Sequence, residues 1–189
     1  MGTQGATGST LSSHALIRLW RPKALVMPGI AFGTDRGRHR PGDVLVAQHL
    51  IPYEAQRLGS SIQYRNPIPV ASGVLLNRFR NTLDWDFQRP DGTRCAVHYG
   101  AVLSGEKLID SRSFKQALLN QYPTAVGGEM EGAGLWASAD RTNTEWLLAK
   151  GVCDWADGEK DDSYQELAAA ASVSLCEHVL GSRHALSGV

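Results

Sequence analysis

The chain has 189 residues, 42% of them hydrophobic, and its 19 Lys+Arg balance 19 Asp+Glu for a formal net charge of zero. That length suits one domain with a real core, and neutrality removes any electrostatic case for nucleic acid or a membrane surface as partner. Cys95, Cys153 and Cys176 are odd in number and far apart, which argues against a disulfide framework or a zinc site and fits reduced thiols in a cytoplasm. No 18-residue apolar run and no signal-peptide pattern oppose that reading.

Met1–Ser13 is rich in Gly, Thr and Ser, a composition that favours a flexible leader. A helix is predicted over Thr10–Trp20, with Leu11, Ala15, Leu16 and Leu19 forming its apolar face and Pro22 ending it. Ala24–Met27 reads as a buried strand running into the Gly-rich turn Pro28-Gly29-Ile30-Ala31-Phe32-Gly33. Helix, short turn, apolar strand and Gly-rich loop is the pattern of an α/β sheet with its ligand at the strand C-termini. Arg36–Arg40 is a basic turn, better read as a solvated loop than as a nucleic-acid contact in a neutral chain. Asp43 opens the strand Val44–Ala47 and is expected to pin a turn.

Arg57–Ala71 lacks periodicity and is expected to be a mobile loop or an oligomer contact. Ser72–Leu83 is predicted helical, with Val74, Leu75, Leu76 and Phe79 inward. Trp85 and Phe87 are candidates for an aromatic lid, though packing is the commoner use of such residues. Ala96–Leu103 reads as a strand, Ser113–Asn120 as a helix, Thr124–Val126 and Trp146–Val152 as strands, and Ser163–Leu180 as a closing helix with Leu167, Ala171, Leu175 and Val179 inward. The acidic stretch Asp157–Asp162 lacks calcium-loop spacing and reads as solvated.

The chain is organised around Gly127-Gly128-Glu129-Met130-Glu131-Gly132, between an apolar strand and a small-residue helix. Buried unpaired carboxylates are costly, and glycine lets a ligand or another backbone come close. Glu129 and Glu131 therefore read either as acceptors for donors such as sugar hydroxyls or as acidic residues in a first helical turn. The second acidic stretch is Cys153-Asp154-Trp155-Ala156-Asp157, at the end of an apolar strand.

Glu-Met-Glu-Gly, a helix, and a strand ending in Cys-Asp-Trp-Ala-Asp together resemble the nucleoside phosphorylase superfamily, above all its 5′-methylthioadenosine/S-adenosylhomocysteine nucleosidase branch. The resemblance implies a three-layer α/β/α sandwich with a mixed twisted central sheet. It implies a single domain over residues 1–181, with 182–189 a short tail; it makes the Gly-rich start the family's turn after its third strand and not a leader, and puts about the first fifth of the usual domain outside this chain. It implies cleavage of the N-glycosidic bond of a purine nucleoside, with Asp154 as acid to the base, Glu131 holding the ribose hydroxyls, Met130 on the sugar and Glu129 as a supporting partner. Leu108 and Ile109 would meet the purine, Leu108 standing where the nucleosidases carry a stacking phenylalanine. Ile30, Ala31 and Gly33 would line the pocket.

Phosphorylases bind phosphate with an arginine and a serine in the turn after the first strand, and Met27 and Ile30 stand at those places. Without charge-assisted donors water is the favoured nucleophile. The glutamate that activates water in the nucleosidases falls outside this chain. The alternative reading is a nucleoside- or nucleotide-binding effector module of a larger protein. The resemblance implies a homo-oligomer and neither a metal nor an organic cofactor.

Overall fold

The computed structural model describes residues 5–54, 56–58, 62–64, 67–159, 162–182 and 185–188. In chain order these form α1 (Gly5–Trp20), β1 (Ala24–Gly33), β2 (Val44–Pro52), β3 (Gln56–Leu58), β4 (Ile62–Tyr64), α2 (Gly73–Arg80), β5 (Val97–Ser104), α3 (Arg112–Gln121), β6 (Ala125–Glu129), α4 (Gly132–Asp140), β7 (Glu145–Asp154) and α5 (Gln165–Leu180). The stretch expected to be a loop at Arg57–Ala71 holds the two-stranded antiparallel β3–β4, and its residues 59–61 and 65–66 lie outside the described ones.

A mixed sheet of five strands, flanked by helices, forms the α/β architecture expected. β1 runs parallel to β7, β2 parallel to β5 and β5 parallel to β6, while β2 meets β7 and β1 meets β6 in antiparallel fashion. The order β1-β6-β5-β2-β7 closes on itself. The mixed central sheet is therefore closed into a barrel, where the resemblance implied the middle layer of a three-layer α/β/α sandwich. Two glycines account for the closure. A Cβ on Gly127 would collide with the Phe32 carbonyl, and one on Gly128 with the Phe32 ring. Their absence lets the end of β1 cross to β6, where Phe32 pairs with Gly128 and Gly33 with Gly127.

That closure sets the site. Phe32 pairs with Asp154 on one side and Gly128 on the other, while Ser104 pairs with Glu129. The ends of β1, β5, β6 and β7 thus converge. β1 and β6 both run further than expected, because the Gly-rich stretches 28–33 and 127–129 are strand and not loop.

The expected apolar face of α1 is corrected. Leu11, Leu16 and Leu19 are exposed, as is Trp20, and α1 buries Gly5, Gly8, Ser9, Ser13 and Ile17 instead. The reason lies in α4. Gly134 has no side chain, and a Cβ there would meet the Ala6 carbonyl and the Thr10 amide. The two helices approach at backbone distance, and only the small-residue face of α1 fits. Within the Gly-, Thr- and Ser-rich start, which composition alone reads as a leader, Gly5–Ser13 is helical, and residues 1–4 lie outside the described ones.

The remaining helices follow their sequence patterns. Ser72 accepts the Leu75 N–H and starts α2, which buries Leu75, Leu76 and Phe79. Ser111 accepts the Phe114 N–H and starts α3. α5 buries Ala171, Leu175 and Val179 as expected, against β1 and β7. Trp85 and Phe87 stack at 6.1 Å, and Trp85 Nε1 donates to Ser174 Oγ of α5 at 3.2 Å. They pack the fold and form no lid. All three cysteines are buried and none forms a disulfide. Among the described residues no helix is long and apolar enough to cross a membrane.

Candidate functional site

A cavity of about 240 Å³ opens where the four strand ends meet, a little below the roughly 300–1,000 Å³ of common small-molecule sites. Ile30, Ala31 and Phe32 come from β1, and Lys107, Leu108 and Ile109 from the turn after β5. Gly128, Glu129, Met130 and Glu131 come from the end of β6, Cys153 and Asp154 from the end of β7, and Gln165 from α5. Of the site residues expected from sequence, Ile30, Ala31, Leu108, Ile109, Glu129, Met130, Glu131 and Asp154 are therefore brought together. Gly33 is not among the lining residues. It lies one step further along β1, with its free side against His39 and Val152.

The two glutamates have different surroundings. Glu129 is buried, and its carboxylate accepts the N–H groups of Glu131 (2.8 Å) and Gly132 (2.8 and 3.0 Å). It satisfies the orphan donors at the start of α4 and suits the positive end of the helix dipole. Glu131 keeps its side chain 31% exposed, toward the cavity. Its Oε2 accepts a hydrogen bond from Lys150 Nζ at 3.0 Å, and the same ammonium lies 3.4 Å from Glu129 Oε2. Lys150 is 3% exposed on β7. One buried cation therefore serves two carboxylates and fixes the direction of Glu131. Ser104 adds rigidity, since its Oγ accepts the Ala133 N–H at 2.9 Å.

Asp154 ends β7 half-buried. Its Oδ1 accepts the Ala156 N–H at 2.9 Å, and its Oδ2 accepts the Cys153 thiol at 3.2 Å. The turn that follows carries a non-glycine residue in the left-handed region, Ala156 at φ 50°, a conformation that persists only where neighbours enforce it.

Behind this turn lies a buried polar cluster. Asp43 accepts from the Arg89 guanidinium, from the Ala96 N–H at 2.7 Å and from the Arg40 N–H at 2.8 Å, and pairs with His98 Nε2 at 3.3 Å. Burial pushes the Asp43 carboxyl up, but the hydrogen bonds from His98, Ala96 and Arg40 and the Arg89 charge outweigh it and hold the group below its ordinary value. Asp43 pins a turn, as its sequence context suggests, and the same turn reaches β7. Gly42 N–H donates to the Val152 carbonyl at 2.9 Å and Val152 N–H to the Asp43 carbonyl at 2.7 Å. The basic turn beside it is occupied by ion pairs: Arg36 with Asp157 and Glu159, and Arg40 with Asp91.

His39 is 4% exposed, edge-on to His98 at 4.8 Å, with a buried Nδ1 that has no hydrogen-bond partner among the described residues. Burial first, then the neighbouring His98 and Arg38, push its pKa below the ordinary 6.5. A lowered folded value means that the unfolded chain binds the proton more readily, so the contribution of His39 to stability is present above about pH 6.5 and lost as the pH falls below it. The expected result is a urea midpoint that drops between pH 7.5 and pH 5.5, with a smaller drop in His39→Leu. Equal slopes in the two proteins would remove His39 from the acid response.

Sequence reasoning missed Lys150, Phe32, Lys107 and Gln165. Lys150 had a signal, since a lone lysine inside the apolar run Leu147-Leu148-Ala149-Lys150-Gly151-Val152 needs a buried partner. Lys107 pairs with Glu54 at the cavity edge, and nothing local distinguished it from any surface lysine.

The model of a phosphorylase superfamily matches residues 1–181. The chain belongs to that superfamily. Within it, the chain is 27% identical over 197 residues to a death domain-containing ATP nucleosidase of Amphimedon queenslandica, with 95% of the chain and 37% of the relative covered. It is 25% identical over 181 residues to a 5′-methylthioadenosine/S-adenosylhomocysteine nucleosidase of Staphylococcus epidermidis, covering 93% of the chain and 75% of the relative. The chain thus spans little more than a third of the Amphimedon relative and three quarters of the Staphylococcus one. Among solved structures, a nucleosidase of the same name from Colwellia psychrerythraea, in complex with adenine, superposes with a TM-score of 0.82 at 20% identity over 96% of this chain and 76% of that one. This superfamily fold is what places the four strand ends together.

Proposed function

We propose that this chain cleaves the N-glycosidic bond of a purine nucleoside or nucleotide by hydrolysis. The observation that carries the proposal is the convergence of Asp154 and Glu131 from two strand ends on one cavity with apolar walls from Ile30, Ala31 and Ile109. Asp154 is the acid toward the base. Glu131, aimed by Lys150, accepts the ribose hydroxyls while positive charge develops at the sugar, and Met130 packs on the sugar. The C1′–N9 electron pair leaves with the base, which takes a proton from Asp154. Water bonds to C1′ from the other face and releases its proton to solvent, and solvent returns a proton to the Asp154 carboxylate.

Three observations support this reading. The matched relatives are named as nucleosidases, and the similar solved structure holds adenine. Water is favoured over phosphate because, among the described residues, the lysine that lines the cavity and the lysine that touches its glutamates are engaged: Lys107 with Glu54, and Lys150 with Glu131 and Glu129. The two relatives differ in the 5′ substituent that their names imply, so the assay must offer both kinds.

A second reading, a nucleoside- or nucleotide-binding effector module, is favoured by Leu108, which is 65% exposed and offers the base no stacking ring. The test is release of free base from methylthioadenosine, adenosylhomocysteine, inosine and ATP, with and without phosphate. The expected result is adenine release at equal rates in the two buffers. Ligand binding with no release from any of the four would transfer the assignment to the effector module. Release that requires phosphate would make the chain a phosphorylase.

A further inference from the structure

Lys115 on α3 is 9% exposed, and burial lowers its pKa. A buried ammonium is costly unless it is paired or well hydrogen-bonded. Its Nζ donates to the Trp155 carbonyl at 2.7 Å. That carbonyl belongs to the peptide unit whose other end is the Ala156 N–H, the group that donates to Asp154 Oδ1 at 2.9 Å. The peptide plane is rigid, so fixing its C=O on one side fixes its N–H on the other. A cation on the carbonyl also polarises the amide and strengthens the bond that the N–H makes.

Trp155 is held at two further points. Its indole Nε1 donates to the His39 carbonyl at 3.0 Å, and the Arg36 guanidinium lies 4.3 Å from the centre of its ring, within cation–π range. Arg36 is in turn tied to Asp157 by two hydrogen bonds, of 2.8 and 3.1 Å. The peptide of this residue is thus secured from α3, and its indole N–H and ring face from the β1–β2 connection that carries His39 and Arg36. The left-handed Ala156 beside it is the kind of backbone that needs such enforcement.

We propose that Lys115 is a positioning residue for the acid of this site: through the Trp155–Ala156 peptide it orients the Asp154 carboxyl group. The inference rests on the role given to Asp154 under the proposed function, and the two are separable by experiment. Lys115 does not line the cavity, so its loss acts on the turnover of bound substrate and not on binding.

The experiment is steady-state base release by the wild-type chain, Lys115→Gln, Lys115→Arg, Asp154→Asn and the double variant Lys115→Gln/Asp154→Asn, with thermal melts to compare folding. Lys115→Gln is expected to lower kcat about tenfold with KM within about twofold, the size of a lost charge-assisted hydrogen bond. Lys115→Arg, which keeps a cationic donor, recovers most of that loss. In the Asp154→Asn background, where no proton remains to be delivered, the Lys115→Gln change costs about twofold or less, whereas a merely structural lysine would cost the same factor in both backgrounds. An unchanged kcat in Lys115→Gln, or an equal factor in both backgrounds, overturns the positioning role and leaves Asp154 in place. A full rate in Asp154→Asn overturns the acid assignment and this inference with it.

Discussion

Asp154→Asn is expected to slow base release by about 10²- to 10⁴-fold, the usual contribution of a positioned proton donor, while the chain stays folded. The substitution keeps shape and volume. The amide oxygen of asparagine takes over the bond that Oδ1 accepts from the Ala156 N–H, so the turn after β7 keeps its anchor. The ability to surrender a proton is lost, together with the weak acceptor that Oδ2 offers the Cys153 thiol, which keeps the Ala31 carbonyl within reach. An amide still offers an N–H to the departing base, but the base must then leave as an anion or find its proton in water, and the barrier rises accordingly. The checks are base release over long incubations and a thermal melt. A melt like the wild type with a rate down a hundredfold or more assigns the acid. A rate within a factor of three places proton donation elsewhere in the cavity.

How far this site was legible in the sequence depends on the kind of contact involved. Asp154 and Glu131 could be singled out as cavity residues because their order and spacing match a known family; the carboxylates alone fitted a helix start equally well, and that is the use Glu129 serves. Lys150 was not identified, since its meaning lies in pairing across the barrel with residues 19 and 21 positions earlier. The same limit hid the barrel. Closure depends on missing Cβ atoms at Gly127 and Gly128 opposite Phe32, and a glycine pair reads in sequence only as permission for some close approach. Helix α1 shows the reverse failure. Leu11, Ala15, Leu16 and Leu19 made a convincing apolar face, but the partner helix offered Gly134, and backbone proximity prevailed over side-chain burial. Local pattern predicted where elements lie. It did not predict which face meets which neighbour, because that is decided by the smallest residues of the partner.

Lys150→Met is the substitution with the largest expected cost to stability. The lysine stem and the methionine side chain are similar in length, so little packing is lost, and the effect isolates the charge. With the ammonium gone, Glu129 and Glu131 are left with no cation between them. Breaking a buried ion pair by removing one partner costs about 3–5 kcal/mol, a large share of the roughly 5–15 kcal/mol that holds a domain together. Activity should fall as well, because Glu131 loses the bond that aims it at the cavity; the loss should appear chiefly as a raised KM for nucleosides bearing both ribose hydroxyls, with less effect on a 2′-deoxy analogue. The decisive partner is Glu129→Gln. Its amide oxygen still accepts the N–H groups of Glu131 and Gly132 while its charge is removed. If electrostatics underlie the cost, Lys150→Met/Glu129→Gln is more stable in urea than Lys150→Met alone, although Glu129→Gln by itself destabilises the wild type. If the double variant is instead the sum of the two singles, the lysine serves the fold through its stem, and the shared-cation account of this site is wrong.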